Sequence, residues 1–202
     1  MNLPNDSQIT LVNPEFEREP ALVLVFSRDN IKDTVMRRKG GSNEVLYKVE
    51  SETSGTRTSV YPSTSDVPIA ILELKGLFGR DRITFQGEET KNISDWLSGY
   101  GPLRTFPIAF EHNGRRYKWK PNFIRQLGDQ DTVHPIAWFE GYKLRFIDGS
   151  LKGFKAFLAM EEEVVEVQDL VVLSFLIAEN KMRKDMKPGT IEGGRSTLSR
   201  KE

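Results

Sequence analysis

The sequence predicts a mainly β protein: a closed antiparallel β-barrel wrapped around a central hydrophobic C-terminal α-helix. Two observations carry this prediction. About ten short apolar or alternating segments, separated by Gly, Pro, Ser and Asn, indicate strands, and a flat open sheet does not carry so many comfortably. One long segment near the C-terminus, at about 166–184, contains neither Gly nor Pro and has a strongly apolar centre.

The length and composition suit one folded domain with mobile ends. The chain has 202 residues, of which 38% are hydrophobic and 29% are charged, which is enough apolar material for a core. We expect a flexible N-terminal segment at 1–18, the barrel domain at 19–186, and a disordered tail at 187–202. The tail is rich in Gly, Ser, Thr and charge, so it cannot bury much apolar surface.

Five strand candidates lie in the first half of the chain. Residues 21–27 form an apolar run rich in branched side chains, and 44–51 alternate apolar and polar side chains. The other three candidates are 56–62, 68–76 and 82–87, each next to turn-forming residues. Residues 93–102 are the exception, because they suit one helical turn followed by two glycines and a proline.

The segment 104–122 predicts a hairpin with its turn at Asn113-Gly114. A type I′ turn needs positive φ at both central residues, and Asn-Gly is the strongest short signal for it. This turn pairs His112 with Arg115, Glu111 with Arg116, Phe110 with Tyr117, Ala109 with Lys118, and Ile108 with Trp119. One face of the hairpin is then apolar and meets the core. The opposite face meets water and carries Glu111, Arg116, Lys118 and Lys120.

Three more strand candidates, 132–140, 142–149 and 153–160, precede the apolar stretch "DLVVLSFLIAEN" at 169–180. That stretch is shorter than the about 20 apolar residues that span a bilayer. A strand is the alternative, since Val and Leu dominate. Helix-favouring residues downstream, Asp169 near the start, and basic residues near the end favour a helix. A helix that is apolar all round must be buried all round.

This layout resembles the tubby C-terminal-like superfamily, which includes LURP-one-related proteins and phospholipid scramblases. The residues that carry the likeness are the aromatic hairpin "RRYKWKP", the following "IAWF", and the terminal "DLVVLSFLIAENKMRKD". The resemblance covers about 21–184 and is closest to uncharacterised fungal single-domain members. It implies a closed barrel around a central helix. It carries over no binding residue, because the chain has no recognisable tubby phosphoinositide-binding motif.

Composition excludes several kinds of chemistry. Lys plus Arg and Asp plus Glu are both 29, so overall charge gives no case for nucleic-acid binding. The absence of Cys excludes disulfides, thiolate catalysis and Cys-ligated metals. The two histidines, His112 and His134, fit structural or solvated roles, and no phosphate-binding or nucleophile motif occurs. We therefore expect no enzyme activity, no metal, no cofactor and no transmembrane segment. We expect a cytoplasmic monomer, with a peripheral membrane position as an option.

Two clusters of basic residues are the candidate sites for an anionic ligand. One is the run Arg37, Arg38 and Lys39, which precedes two glycines and is expected at a loop where backbone amides assist phosphate binding. The other is Arg116, Lys118 and Lys120 on the outer hairpin face, about 7 Å apart in successive steps. The alternative interpretation is that both clusters are ordinary solvent-exposed residues without a ligand.

Two functions remain open from the sequence. The first is a binding module for phosphoinositides, another anionic lipid headgroup or a phosphorylated protein. The second is a protein-interaction or scaffold domain without a lipid ligand, which uses a loop rim such as 96–102. Nothing in the sequence identifies the partner or the pathway.

Overall fold

The structure is a computed structural model that describes residues 19–40, 44–75, 79–101, 106–120, 125–129 and 134–185. The predicted N-terminal segment, 1–18, and tail, 187–202, lie outside the described residues. Fourteen strands and two α-helices occur in the described part. The strands are β1 Leu22–Phe26, β2 Thr34–Arg38, β3 Val45–Ser51, β4 Arg57–Pro62, β5 Ala70–Glu73, β6 Arg82–Phe85, β7 Lys91–Asn92, β8 Ile108–His112, β9 Arg115–Lys120, β10 Arg125–Asp129, β11 Ala137–Glu140, β12 Lys143–Ile147, β13 Ser150–Phe154 and β14 Phe157–Met160. The helices are α1 Ile93–Trp96 and α2 Gln168–Asp185.

Twelve strands form one antiparallel sheet in the order β7-β6-β5-β4-β3-β2-β1-β14-β11-β10-β9-β8. The remaining two, β12 and β13, pair with each other in a separate sheet. The first seven strands follow chain order because each turns back beside its predecessor. β14 returns from the C-terminal half to pair with β1 and β11, and so joins the two halves of the sheet.

The helix α2 forms where the sequence predicted it. Asp169 lies in its first turn and Arg183 and Lys184 in its last, so both ends complement the helix dipole. Every residue from Val171 to Met182 is buried, which confirms a helix covered on all sides. Within the described residues, no helix is long and apolar enough to cross a membrane.

Phe175 of α2 occupies the centre of the core. Its ring contacts Phe139 of β11 at 4.6 Å, Trp119 of β9 at 5.7 Å and Phe26 of β1 at 5.9 Å between centroids. The neighbouring Ser174 is the one polar residue between Leu170 and Ala178. Its Oγ accepts a hydrogen bond from Trp119 Nε1 at 3.0 Å and donates to the carbonyl of Val171 at 3.1 Å. The helix is therefore held against strands from distant parts of the sheet.

The predicted closed barrel is wrong, because the sheet is open. β7 and β8 end the strand order, and among the described residues no ladder joins them. β7 has only two residues, which pair with β6, before the chain turns into α1. After α1, a single bridge between Ser98 and Ala109 links the two ends, through backbone bonds of 2.8 and 2.9 Å.

The hairpin of β8 and β9 confirms the register expected from Asn113-Gly114. Both turn residues have positive φ, 49° and 75°, and all five predicted pairs are present. Ile108, Phe110, Tyr117 and Trp119 are buried. The predicted helical turn at 93–102 is α1, also as expected.

Three strands were not predicted, and one segment predicted as a single strand contains parts of two strands. β2, β7 and β10 are short and carry charged or polar residues, which hide the alternation. The predicted segment 153–160 contains the end of β13 and all of β14, separated by Lys155 and Ala156. That break allows β13 to leave the main sheet.

We predict that Phe175→Ala lowers the free energy of unfolding by about 3–5 kcal/mol, because it leaves a cavity under three aromatic rings. The matched control is Phe146→Ala in β12, where the ring is 75% exposed and the expected loss is below about 0.5 kcal/mol. Urea denaturation of both variants measures the difference. Equal losses would contradict the buried position of α2.

A second prediction concerns the link between the ends of the sheet. Gly99 has φ +81°, and a Cβ there would overlap the backbone carbonyl of Pro107. Gly87 has φ +76°, and a Cβ added there would have no atom within 4 Å. Gly87→Ala should therefore cost only the backbone strain, about 1–2 kcal/mol. Gly99→Ala should cost clearly more in urea denaturation, and equal costs would show that the Ser98 segment yields easily.

Candidate docking surface

The strands β12 and β13 form a two-stranded ribbon, which we define as residues 142–155. Their turn, Asp148-Gly149, has positive φ at both positions, 51° and 76°. The strands on either side of the ribbon, β11 and β14, pair with each other in the main sheet, with Glu140 opposite Phe157. The ribbon is thus an excursion from that pair, and its own strands pair only with each other among the described residues.

One face of the ribbon is apolar and exposed to solvent. The register places Leu144 opposite Gly153 and Phe146 opposite Leu151. Tyr142, just before β12, continues this face, because its ring lies where a side chain at Gly153 would be. The exposed fractions are 51% for Tyr142, 56% for Leu144, 75% for Phe146 and 62% for Leu151. These are four of the five large hydrophobic side chains exposed in the described chain, so they form a patch and are not scattered.

The opposite face is cationic. It carries Lys143 opposite Phe154 and Arg145 opposite Lys152. The Arg145 guanidinium lies 5.5 Å from the centroid of the Phe154 ring, and Lys143 Nζ lies 2.6 Å from Glu140 Oε2. Together with Lys155 the ribbon contains four cations and a single acid, Asp148, which gives a net charge of +3. The ribbon is therefore amphipathic in cross-section.

Asp29, in the loop between β1 and β2, connects the base of the ribbon to α2. Its Oδ2 accepts a hydrogen bond from the Tyr142 backbone N–H at 3.0 Å, and its Oδ1 pairs with the Arg183 guanidinium. Arg183 also donates to the Asp29 carbonyl at 3.1 Å and to buried Glu179 at 2.8 Å. Burial lowers the pKa of Arg183, but its bonds to Asp29 and Glu179 outweigh burial and raise the pKa overall. The guanidinium is therefore a permanent charge that holds both carboxylates.

The basic residues predicted from the sequence form two separate patches. Arg37 and Arg38 belong to β2, so their expected loop position is wrong, and Lys39 directly follows the strand. Burial lowers the pKa of Lys39. Arg116, Lys118 and Lys120 lie on β9 as expected. Five strand spacings separate β2 from β9, which is about 24 Å along the sheet at about 4.8 Å per spacing.

The ribbon leaves the sheet between these two patches. Val25 of β1 pairs with Arg37 on one side and with Phe157 of β14 on the other. Gln126 of β10 likewise pairs with both Lys120 and Trp138 of β11. Each patch is thus about 10 Å from the strands that carry the ribbon, at two strand spacings. On β9, Arg116 is engaged by Glu111 at 3.9 Å and by Ser98 Oγ at 3.3 Å.

The first residues of the loop rim at 96–102 pack against the core. The centroid of the Trp96 ring lies 5.0 Å from that of Phe85 and 6.0 Å from that of Phe110. Leu97 is fully buried, and the Tyr100 hydroxyl donates to Asp81. Pro102 lies outside the described residues. The described part of the rim therefore contributes to the core.

Two partly buried phenol–carboxylate pairs lie outside the ribbon. Burial and a hydrogen bond to Asp169 raise the pKa of Tyr47, and burial and a hydrogen bond to Asp81 raise the pKa of Tyr100. Both tyrosines therefore stay neutral donors at physiological pH. In the described ranges, no group of three or more His, Asp or Glu side chains could hold a metal ion.

Sequence reasoning predicted β12 but only the last two residues of β13, and it did not identify the ribbon as a site. The alternating letters "YKLRF" gave a signal of two faces, one apolar and one basic. Alternation does not reveal which face is covered, because an apolar face in a strand is normally packed against a core. The exposed apolar face became visible only in three dimensions.

We predict that Asp29→Ala loosens the base of the ribbon. The variant removes the acceptor of the Tyr142 N–H and one of the two carboxylates that hold Arg183, so ribbon amides should exchange with solvent faster while β3 and β4 stay protected. Asp66→Ala, at an exposed residue in the loop after β4, is the control. Hydrogen exchange followed by mass spectrometry gives the comparison. Unchanged exchange at 142–155 would contradict the role of Asp29.

The comparisons with known proteins show the family and no function. A model described as "Family of unknown function (DUF6593)" matches residues 29–184. No curated protein and no solved structure matches the chain. The resemblance to the tubby C-terminal-like superfamily stays a prediction. Because the matched region covers most of the chain, including the ribbon and all but the last residue of α2, the protein belongs to the DUF6593 family.

Proposed function

We propose that this member of the DUF6593 family is a non-enzymatic cytoplasmic module that docks on an anionic membrane surface through its ribbon. The observation that carries the proposal is the exposed apolar face of Tyr142, Leu144, Phe146 and Leu151, with cations on the reverse face. Elements that lie in a membrane interface have this division, with aromatic and aliphatic residues on one side and Lys or Arg on the other. The ribbon has the same division into an apolar and a cationic side, but it is built from two β-strands.

Both components of the ribbon contribute to binding. Burial of apolar surface in the acyl region is favourable by about 25 cal/mol per Å². Each Lys or Arg near an anionic leaflet adds about 1 kcal/mol, and that part weakens with salt. The ribbon offers four cations, of which Lys143 is shared with Glu140. Apolar contact and charge together suit reversible, peripheral attachment.

The charge of the ribbon favours a lipid surface over a second copy of the chain. Two ribbons meeting face to face would bring +3 against +3, which is unfavourable unless anions intervene. An anionic bilayer satisfies the cations and covers the apolar face at once. The alternative, a protein-interaction domain without a lipid ligand, is an outcome of the test below.

The two basic patches take a supporting role in this proposal. Arg37, Arg38 and Lys39 lie on one side of the strands that carry the ribbon, and Arg116, Lys118 and Lys120 on the other. A membrane that meets the ribbon would lie near both patches. Phosphoinositide headgroups, with more charge per lipid, are the candidates for stronger binding there.

The test compares binding of the full chain to vesicles of phosphatidylcholine alone, with phosphatidylserine, and with phosphoinositide. We expect binding to both anionic kinds, weaker binding to the neutral kind, and a decrease from low to physiological salt. Phe146→Ser with Leu151→Ser should lower binding by about tenfold or more at every salt concentration, since it removes two exposed apolar anchors. The same variants should leave the melting temperature nearly unchanged.

A matched pair of charge variants separates the ribbon from the patches. Arg145→Gln with Lys152→Gln changes the cationic ribbon face, and Lys118→Gln with Lys120→Gln makes an equal charge change on β9. The ribbon pair should weaken binding more than the β9 pair. Equal binding to neutral and anionic vesicles, or an apolar variant that binds like the wild type, would contradict membrane docking and favour the protein-interaction alternative.

A further inference from the structure

We propose that Ser150 is a phosphorylation site whose modification releases the ribbon from an anionic membrane; this inference rests on the proposed function. Ser150 is the only serine or threonine in the ribbon. It opens β13 directly after the Asp148-Gly149 turn and is exposed to solvent. Its hydroxyl donates an exposed hydrogen bond to the Ile147 carbonyl at 3.1 Å.

The position of Ser150 links the hydroxyl to the cations of the ribbon. It pairs with Ile147, and it shares its face with Lys152, two residues along the strand, and with Arg145, which pairs with Lys152. Residues two apart on a strand are about 7 Å apart, which is within reach of a Lys side chain. A phosphate on Ser150 would therefore lie beside the cations that are proposed to meet lipid headgroups.

The covalent step is a phosphoryl transfer from a nucleoside triphosphate, catalysed by a serine/threonine kinase. The bond between the γ-phosphorus and its bridging oxygen breaks, and a bond forms between that phosphorus and Ser150 Oγ. The hydroxyl proton passes to the catalytic base of the kinase, and the nucleoside diphosphate leaves. The product is a phosphoserine on the cationic face.

Access of a kinase to Ser150 follows from the construction of the ribbon. A two-stranded sheet on its own is marginally stable, so its end can open locally at little cost. The turn and the first residue of β13 lie at the tip, away from the main sheet. Lys152 and Lys155 follow the acceptor, which suits kinases that select basic residues C-terminal to the serine.

The phosphate acts on membrane binding in two ways. It adds a charge of about −1.5 to −2, which reduces the ribbon from +3 to about +1. It also offers three acceptor oxygens to Lys152 and Arg145, which competes with lipid phosphates for the same side chains. The apolar face of the ribbon is left unchanged, so only the electrostatic part of binding is lost.

The first experiment installs phosphoserine at position 150 of the full chain and measures binding to phosphatidylserine vesicles at low salt. A chain with phosphoserine at Ser63, an exposed residue after β4, carries the same charge far from the ribbon and is the matched control. We expect phosphoserine at 150 to weaken binding by about tenfold or more, and phosphoserine at 63 to change it much less. Phosphatase treatment should restore binding of the chain modified at 150.

The second experiment incubates the full chain with ATP and a kinase that selects basic residues C-terminal to the acceptor, followed by peptide mass spectrometry. Phosphate at Ser150, absent in Ser150→Ala, is the expected result. No phosphate at Ser150 would overturn its assignment as an acceptor.

The outcomes distinguish this inference from the proposed function. If the unmodified chain binds anionic and neutral vesicles equally, membrane docking fails and the inference fails with it. If the unmodified chain prefers anionic vesicles but phosphoserine at 150 changes nothing, or no more than at 63, only the role of Ser150 is overturned.

Discussion

The covering of α2 is the constraint on which the rest of the structure depends. A helix that is apolar on every side is unstable in water unless other elements surround it. The Phe175 ring meets β1, β9 and β11, which come from both halves of the chain. The sheet must therefore wrap far enough to bring strands from both of its halves to the same helix. A single bridge at Ser98 is enough to link the ends, since the core and not a continuous ladder supplies most of the stability.

The ends of α2 extend this constraint to the surface. Asp169, in the first turn, accepts a hydrogen bond from the hydroxyl of Tyr47 in β3. Near its other end, Arg183 holds Asp29, which in turn accepts from the backbone at the base of the ribbon. A buried ionic group is costly unless it is paired, and Arg183 pairs with buried Glu179 as well as with Asp29 at the surface. The position of the ribbon is thus tied to the most buried element of the protein.

The parts that could be predicted from the sequence are those set by local signals. Asn113-Gly114 determined a hairpin register, and the run from Val171 to Ala178 determined a buried helix, because both signals lie within a few residues of the structures they specify. Closure of the sheet depends on pairing between β7 and β8, which no local pattern encodes. The distance between the two basic patches could not be predicted, because strand order is not visible in a single sequence. The exposed face of Phe146 was hidden for a related reason: alternation marks two faces but not which one finds a partner.

The unpaired edges of β12 and β13 have a consequence for solubility. An exposed strand edge with apolar side chains is a template for pairing with other chains and for aggregation. Lysine and arginine on exposed strands are a common protection, because like charges keep such edges apart. Lys143, Arg145 and Lys152 place such charges on the two strands of the ribbon, whose apolar face is exposed. The same cations that we propose for membrane attachment would thus limit aggregation of the free protein.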